Sequence, residues 1–415
     1  MQLKEEKWGR SKRTFCKSLS YDVVNVNLNC RGDFMGIQLF MPTFHVEECL
    51  EAIRECLEKG WTGIGFKTIA FEEAWKTYTG FQNAHFLNSA TAGLHLAVKV
   101  LKMLNGWEEG DEIISTPLTF VSTNHAIAYE NLKVVFADVD QYLCLDPKSV
   151  ESKITPHTRA VVFVGLGGST GQYEAIVRLC EKYGLKLILD AAHMGGTRLN
   201  DETPGREADV AVYSFQAVKN LPTADSGIVC FKEREADALC RKLSWLGIDK
   251  DTYTRDQGNY RWCYEVENLG YKYHGNSIMA AIALIQLKYL EEDNAYRRLL
   301  AKWYNQELEE IAQLQNIPLP DGCLTSQHLY MLLVPERDAL LKRLNEQEIY
   351  PGVHYRDNTE YSLYAYAKGS CIKAKWASEH LISLPLHLRM TEDEVKKICK
   401  VVKEHIDSLE EEGHV

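Results

Sequence analysis

Arg159-Ala-Val-Val-Phe-Val164, then Gln172-Tyr-Glu-Ala-Ile-Val-Arg-Leu-Cys-Glu-Lys-Tyr183, then Leu185-Lys-Leu-Ile-Leu-Asp190 is the stretch that decides the fold. Two near-continuous apolar runs flank a segment whose apolar residues recur at helical spacing. Strands that are apolar on both faces and joined through a helix belong to a parallel sheet covered on both sides. The pattern extends in both directions. Ala84–Leu87, Glu112–Ser115, Lys133–Asp138, Asp209–Ser214 and Gly227–Phe231 read as further strands, with helices over Thr91–Leu104 and Ser122–Tyr129. The expected fold class is therefore α/β, with a mostly parallel, seven-stranded sheet covered by helices.

Outward from this centre, Val46, Cys49, Leu50, Ile53, Cys56 and Leu57 mark an amphipathic helix that stops at Gly60. A long helical pattern follows Asn276 and runs past Trp303. Beyond it come a strand over His328–Val334, a helix over Arg337–Gln347, a strand around Val353 and a last helix from Thr391. The expected organisation is an N-terminal extension over 1–40, a large α/β domain over 41–285 and a smaller α+β domain over 286–415.

The 415 residues are 45% hydrophobic and 25% charged, which is enough apolar surface to fold throughout. A net charge of −11 repels a phosphate backbone, so nucleic acid is not expected as a partner. The 12 cysteines are scattered with no C-x-x-C pair, which argues for reduced, mostly buried thiols and no metal site. No apolar run reaches the ~18 residues that cross a bilayer, and no signal-like stretch follows the N-terminus. A cytoplasmic protein that does not engage membranes is expected.

Two glycine-rich stretches fail as nucleotide loops. In Gly165-Leu-Gly-Gly-Ser-Thr-Gly171 the third glycine of a dinucleotide loop is replaced by Thr170, and in Gly60-Trp-Thr-Gly-Ile-Gly-Phe-Lys-Thr68 Phe66 displaces the lysine. Three strand ends carry more, because open parallel sheets bind ligands at the carboxyl ends of their strands. Leu87-Asn-Ser-Ala-Thr-Ala-Gly93 leads into a helix whose first N–H groups can hold an anion, or can simply be capped. Leu187-Ile-Leu-Asp190 ends in a carboxylate that needs a partner, whether a cationic ring nitrogen, a lysine or a helix end. In Val212-Tyr-Ser214-Phe-Gln-Ala-Val-Lys219 a lysine stands in apolar company that favours its neutral, nucleophilic form, although a solvated surface lysine is the ordinary reading. Together the three are the anchors of pyridoxal phosphate: phosphate cradle, pyridine-nitrogen partner and Schiff-base lysine.

With those residues in place, the chain over roughly 40–405 resembles the DegT/DnrJ/EryC1/StrS sugar aminotransferases, which are fold type I pyridoxal phosphate enzymes. The resemblance is carried by Gly60-Trp-Thr-Gly, Asn88-Ser-Ala-Thr-Ala-Gly-Leu-His, Pro117-Leu-Thr-Phe-Val-Ser-Thr, Asp190-Ala-Ala-His, Ser214-Phe-Gln-Ala-Val-Lys-Asn, Gly270-Tyr-Lys-Tyr, Val353-His-Tyr and Ser383-Leu-Pro-Leu-His. It implies that Lys219 links to the cofactor and moves protons, that Asp190 holds the pyridine nitrogen, and that Phe120 stacks on the ring. On pattern alone, Phe120 reads as core. It also implies that the backbone at Ala90, Thr91 and Ala92 binds the phosphate with the Ser214 hydroxyl, that His193 approaches the ring hydroxyl, and that Thr62 and His354 line the sugar site.

The nearest likeness is to the branch that aminates C4 of nucleotide-linked 4-keto sugars with L-glutamate as donor. The implied unit is a homodimer, with His274 at the position that crosses to the neighbouring subunit's phosphate, where relatives carry Asn or Arg. Relatives also read V-H-L-Y-G where this chain has Val164-Gly-Leu-Gly-Gly168, which implies a wider or differently shaped sugar pocket. Lys219 argues against the dehydrating branch, which carries histidine there. An aminotransferase acting on a cyclitol, or a cofactor-binding regulator without turnover, stay as alternatives.

Overall fold

The computed structural model describes residues 36–248 and 264–413. Residues 1–35 of the expected N-terminal extension lie outside the described residues. The apolar runs form β1 (His85–Leu87), β2 (Glu112–Ser115), β3 (Lys133–Phe136), β4 (Thr158–Val164), β5 (Lys186–Asp190), β7 (Val210–Ser214) and β8 (Gly227–Phe231), with a two-residue β6 (Arg198–Leu199) between them. The seven make one sheet in the order β1-β8-β7-β5-β4-β2-β3. Neighbours from β7 through β3 run parallel, while β8 is antiparallel to both β7 and β1. Their interiors are almost wholly buried, as parallel strands covered on both faces must be.

The register sets the site. Asp190 pairs with Val164 on one side and Val212 on the other, and Ser214 pairs with Gly227, so the carboxyl ends of β4, β5 and β7 lie level. The helix Ala90–Asn105 lies against this part of the sheet. A Cβ on Gly93 would stand 2.7 Å from Val212 Cγ1, so only glycine lets the helix approach so closely. Its first turn is thereby brought to the end of β7, where Gly227 faces the Ala90 nitrogen.

The helix Ser277–Leu308 has 32 residues and spans about 48 Å. Its first half contributes Ala280, Ala283 and Leu290 to the core around the large sheet, and its second half contributes Leu300, Ala301, Tyr304 and Leu308 to a second core. The expected boundary at 285/286 falls inside this helix. The second core is built on β9 (Gln315–Asn316), β11 (Tyr330–Leu333) and β12 (Leu381–Leu384), in the order β12-β11-β9, while β10 (Cys323–Leu324) pairs with β6. Side chains on and beside β11 alternate between the two cores: Leu329, Met331 and Leu333 face the first, Tyr330, Leu332 and Val334 the second.

One expectation needs correction, and one helix was not expected. No strand forms around Val353, where a single bridge joins Gly352 to Ser383 and is followed by short 3-10 turns over Asn358–Glu360 and Ser362–Ala367. The glycine-rich stretch at 60–68 instead leads into a helix, Phe66–Thr79, that the spacing of apolar residues did not announce. Its buried face mixes Phe71 and Trp75 with Thr68, Glu72 and Thr79, so the apolar period is broken. The nine described cysteines are free, and all but Cys323 are buried. No helix among the described residues is long and apolar enough to cross a membrane.

Candidate active site

A cavity of about 380 Å³ opens at the carboxyl ends of β4, β5 and β7. Its walls include Ala90, Thr91, Phe120, Asp190, His193, Ser214, Lys219 and His354, which are eight of the residues expected from sequence.

Asp190 is 4% exposed. Its Oδ2 accepts the Thr123 hydroxyl at 2.8 Å and its Oδ1 accepts the Ala192 N–H at 3.1 Å. Neither bond comes from a lysine. Burial raises its pKa, against the pull of the hydrogen bonds and of the Lys219 charge. A carboxylate held this way still lacks a full positive partner.

Lys219 stands in a loop that folds back after β7, with its N–H donating to Gln216 O at 2.8 Å while Thr223 N–H returns to Phe215 O at 2.8 Å. No described residue hydrogen-bonds its ammonium. Burial pushes the amine down to about 8, with the Asp190 charge resisting. About a tenth of such an amine is neutral at pH 7, against a few parts in ten thousand for an ordinary lysine. It is a nucleophile held ready.

The helix Ala90–Asn105 presents its amino end to the same cavity. Ser89 Oγ caps the Ala92 N–H at 3.1 Å, and Ala92 is not part of the wall. The cradle is thus narrower than expected: the N–H groups of Ala90 and Thr91 are the ones left for an anion, close to the Ser214 hydroxyl. Phe120, read as core on pattern alone, is 58% exposed and turns its ring to the cavity, 6.0 Å from that of Tyr355. Thr62 and His274 are not in the wall of this chain's cavity. The Thr62 carbonyl accepts the Ser277 N–H, while His274 bridges to Leu87, donates from Nδ1 to the Gly275 carbonyl and sets its ring edge on Trp245.

Three neutral histidines surround the amine. Burial, reinforced by the Lys219 charge, holds His193 and His328 well below the usual imidazole range and His354 at about 4. His354 Nδ1 lies 2.9 Å from Ser383 Oγ. His328 Nδ1 lies 2.9 Å from Asn220 Oδ1, and the Asn220 amide donates to Asn294 Oδ1 and to the Ser326 carbonyl, which clamps the residue beside Lys219.

Phe40, Thr123, Asn220, His328 and Tyr355 were not assigned from sequence. Thr123, Asn220 and Tyr355 lie within quoted motifs, but nothing local signals that Thr123, 67 positions before Asp190, would reach it. At Gly165, where a wider or differently shaped pocket is expected, a Cβ would meet Met194 Sδ at 2.1 Å, so methionine fills the space a side chain would take.

Residues 44–403 match the family model described as the DegT/DnrJ/EryC1/StrS aminotransferase family. The uncharacterized protein MJ1066 of Methanocaldococcus jannaschii is 32% identical over 378 residues, which cover 88% of this chain and 97% of that protein. Among solved structures, the aminotransferase TlmJ from Streptoalloteichus hindustanus is 32% identical with a TM-score of 0.83, covering 90% of this chain and 99% of its own. Helicobacter pylori PseC, an aminotransferase involved in the biosynthesis of pseudoaminic acid, is 25% identical with a TM-score of 0.83, covering 90% of this chain and all of its own.

Proposed function

Because this chain belongs to the DegT/DnrJ/EryC1/StrS aminotransferase family and is a pyridoxal phosphate-dependent aminotransferase of fold type I, we propose that it moves an amino group from L-glutamate to a nucleotide-linked keto sugar, at C4 of a 4-keto-6-deoxy sugar. The observation that carries the reading is one cavity holding a lysine whose amine no described residue hydrogen-bonds, a buried carboxylate short of positive charge and two N–H groups at a helix start that no described residue accepts. Those three match in kind what pyridoxal phosphate needs: an amine for its aldehyde carbon, a carboxylate for its ring nitrogen and N–H groups for its phosphate. The sugar substrate is supported by the family and by the pseudoaminic acid role of PseC.

When bound, the cofactor supplies an electron sink for the negative charge left on the substrate carbon as its proton departs. The residues of this chain then divide the work. Ala90 and Thr91 N–H with the Ser214 hydroxyl hold the phosphate. Asp190 accepts the proton-bearing ring nitrogen, and Thr123 and Ala192 keep its two oxygens aimed. Phe120 covers one face of the ring. Lys219 Nζ would hold the cofactor covalently and, when its amine is free, would carry the proton to and from the substrate carbon. His354 contacts the sugar. In a homodimer, His274 and Thr62, both outside the cavity of their own chain, serve the cavity of the neighbouring subunit.

The test is to mix purified protein with L-glutamate and a panel of nucleotide-linked 3-keto and 4-keto sugars and to identify amino products by mass spectrometry. An amino product from a 4-keto sugar is expected. Product from none of them, with turnover of a free cyclitol ketone, overturns the nucleotide-sugar reading. Light scattering that finds an active monomer removes the shared-cavity assignment of His274 and Thr62.

A further inference from the structure

A second, much smaller space lies behind the Lys219 loop. It is walled by residues 40–43, by the loop itself, by Asp293 and Arg297 of the helix Ser277–Leu308, and by residues 386–388. Phe40, Val218 and Lys219 face both this space and the large cavity. Its volume of about 10 Å³ is room for one water-sized group. Two donors meet it without acceptors. Arg297 is 8% exposed, and its Nη1 reaches the Asp293 carbonyl only at 3.5 Å, the outer limit of a hydrogen bond. No described residue accepts from its other N–H groups, and the Asp293 carboxylate, one turn earlier, acts on it only through space. His387 is also buried, and the Arg389 N–H donates to its Nδ1 at 3.3 Å, so the neutral ring carries its proton on Nε2. That buried Nε2 bonds to no described residue, and the nearby Gln38 carbonyl stands outside bonding geometry. A buried guanidinium and a buried imidazole N–H are costly unless a small acceptor serves them. Arg297 and Lys219 face this space as cations, against Asp293 as the one carboxylate among the described residues of its wall, so the local field favours an anion over water.

We infer that Arg297 and His387 bind a single monatomic anion of the halide class behind the Lys219 loop. Phosphate and carboxylates are too large for the space. A halide there counters what burial does to Lys219: it favours the ammonium form and so withholds the nucleophilic amine. This consequence, unlike the site itself, rests on the reading that Lys219 takes up the cofactor.

The site is tested on the full chain without cofactor, melted in sodium chloride and in sodium gluconate at equal ionic strength. Chloride should raise the melting temperature saturably over gluconate, because a ligand of the folded state alone stabilises it. Arg297→Met should weaken the apparent chloride affinity about tenfold or more, the worth of a charge-assisted hydrogen bond. Crystals soaked in bromide should scatter anomalously between Arg297 and His387. Equal melting in the two salts, or bromide only at other positions, means that water serves these donors and overturns the inference. If Arg297→Met does not fold, His387→Phe, which removes only the imidazole donor, must weaken the chloride affinity. The link to Lys219 is read from the rate at which the apo-protein takes up pyridoxal phosphate, followed by visible absorbance. Chloride also competes for the phosphate cradle, so the decisive comparison is with Arg297→Met, where the slowing by chloride over gluconate should fall by about half or more. Equal slowing in both proteins removes the link. Borohydride label on a lysine other than Lys219 condemns the cofactor reading and leaves the anion site standing.

Discussion

Two buried carboxylates in this molecule are treated in opposite ways. Glu72, on the helix Phe66–Thr79, is fully served: its Oε1 meets His85 Nδ1 at 3.0 Å and the Phe86 N–H at 2.8 Å, and its Oε2 takes Arg241 Nη1 at 2.9 Å. Burial alone would raise its pKa, but the Arg241 charge and those bonds hold it below the ordinary range. Asp190 is as deeply buried, accepts only two neutral donors, and has its pKa raised. A network whose charges cancel internally holds structure together. One whose charges are left short is waiting for a ligand that completes them.

The comparison breaks first at Lys219. Lys219→Ala should lower transamination by about a thousandfold or more, since it removes both the attachment and the proton carrier. Single-turnover mixing with L-glutamate reads the loss. Apo-protein melting at neutral pH should not fall, because burial of the amine costs stability there, and a large drop in melting temperature would make Lys219 structural. Asp190→Asn should still take up cofactor but slow the same half-reaction by about a hundredfold, as a neutral amide cannot sustain a protonated ring nitrogen. A wild-type rate in the cofactor-saturated variant would remove Asp190 from the site.

Glu72→Gln should do the reverse, costing about 2 kcal/mol of stability by urea denaturation while the half-reaction is unchanged. An effect of similar size sharpens the contrast through pH. Because Lys219 titrates near 8 when folded and near 10.5 when unfolded, the folded state binds fewer protons between those values, so apo-protein stability rises with pH there. The slope is at most about 1.4 kcal/mol per pH unit. Denaturation midpoints at pH 8 and 10 should differ more in the wild type than in Lys219→Met.

The strands were legible because parallel strands covered on both faces must be apolar throughout, and Asp190 and Lys219 because each stands out at the end of such a run. Other features depend on what the chain meets far away. Glu72 sits on a helix the apolar spacing missed because its buried face needs polar residues to meet Arg241 and His85. Thr123 and Tyr355 come to Asp190 and His193 only when the sheet register and the second core are formed, and no local pattern encodes that. Phe120 reads as core because a phenylalanine at a helix start is ordinarily buried, and its exposure at the cavity is set by the fold around it.

The alternation along β11 has a calorimetric consequence. With Leu329, Met331 and Leu333 in one core and Tyr330, Leu332 and Val334 in the other, pulling this strand out of place wets both at once. Neither half has an interior it can keep dry alone. The described residues should therefore lose heat-absorbing structure in a single endotherm, and access to the cavity should be gated by side chains and short loops, with no swinging apart of two halves.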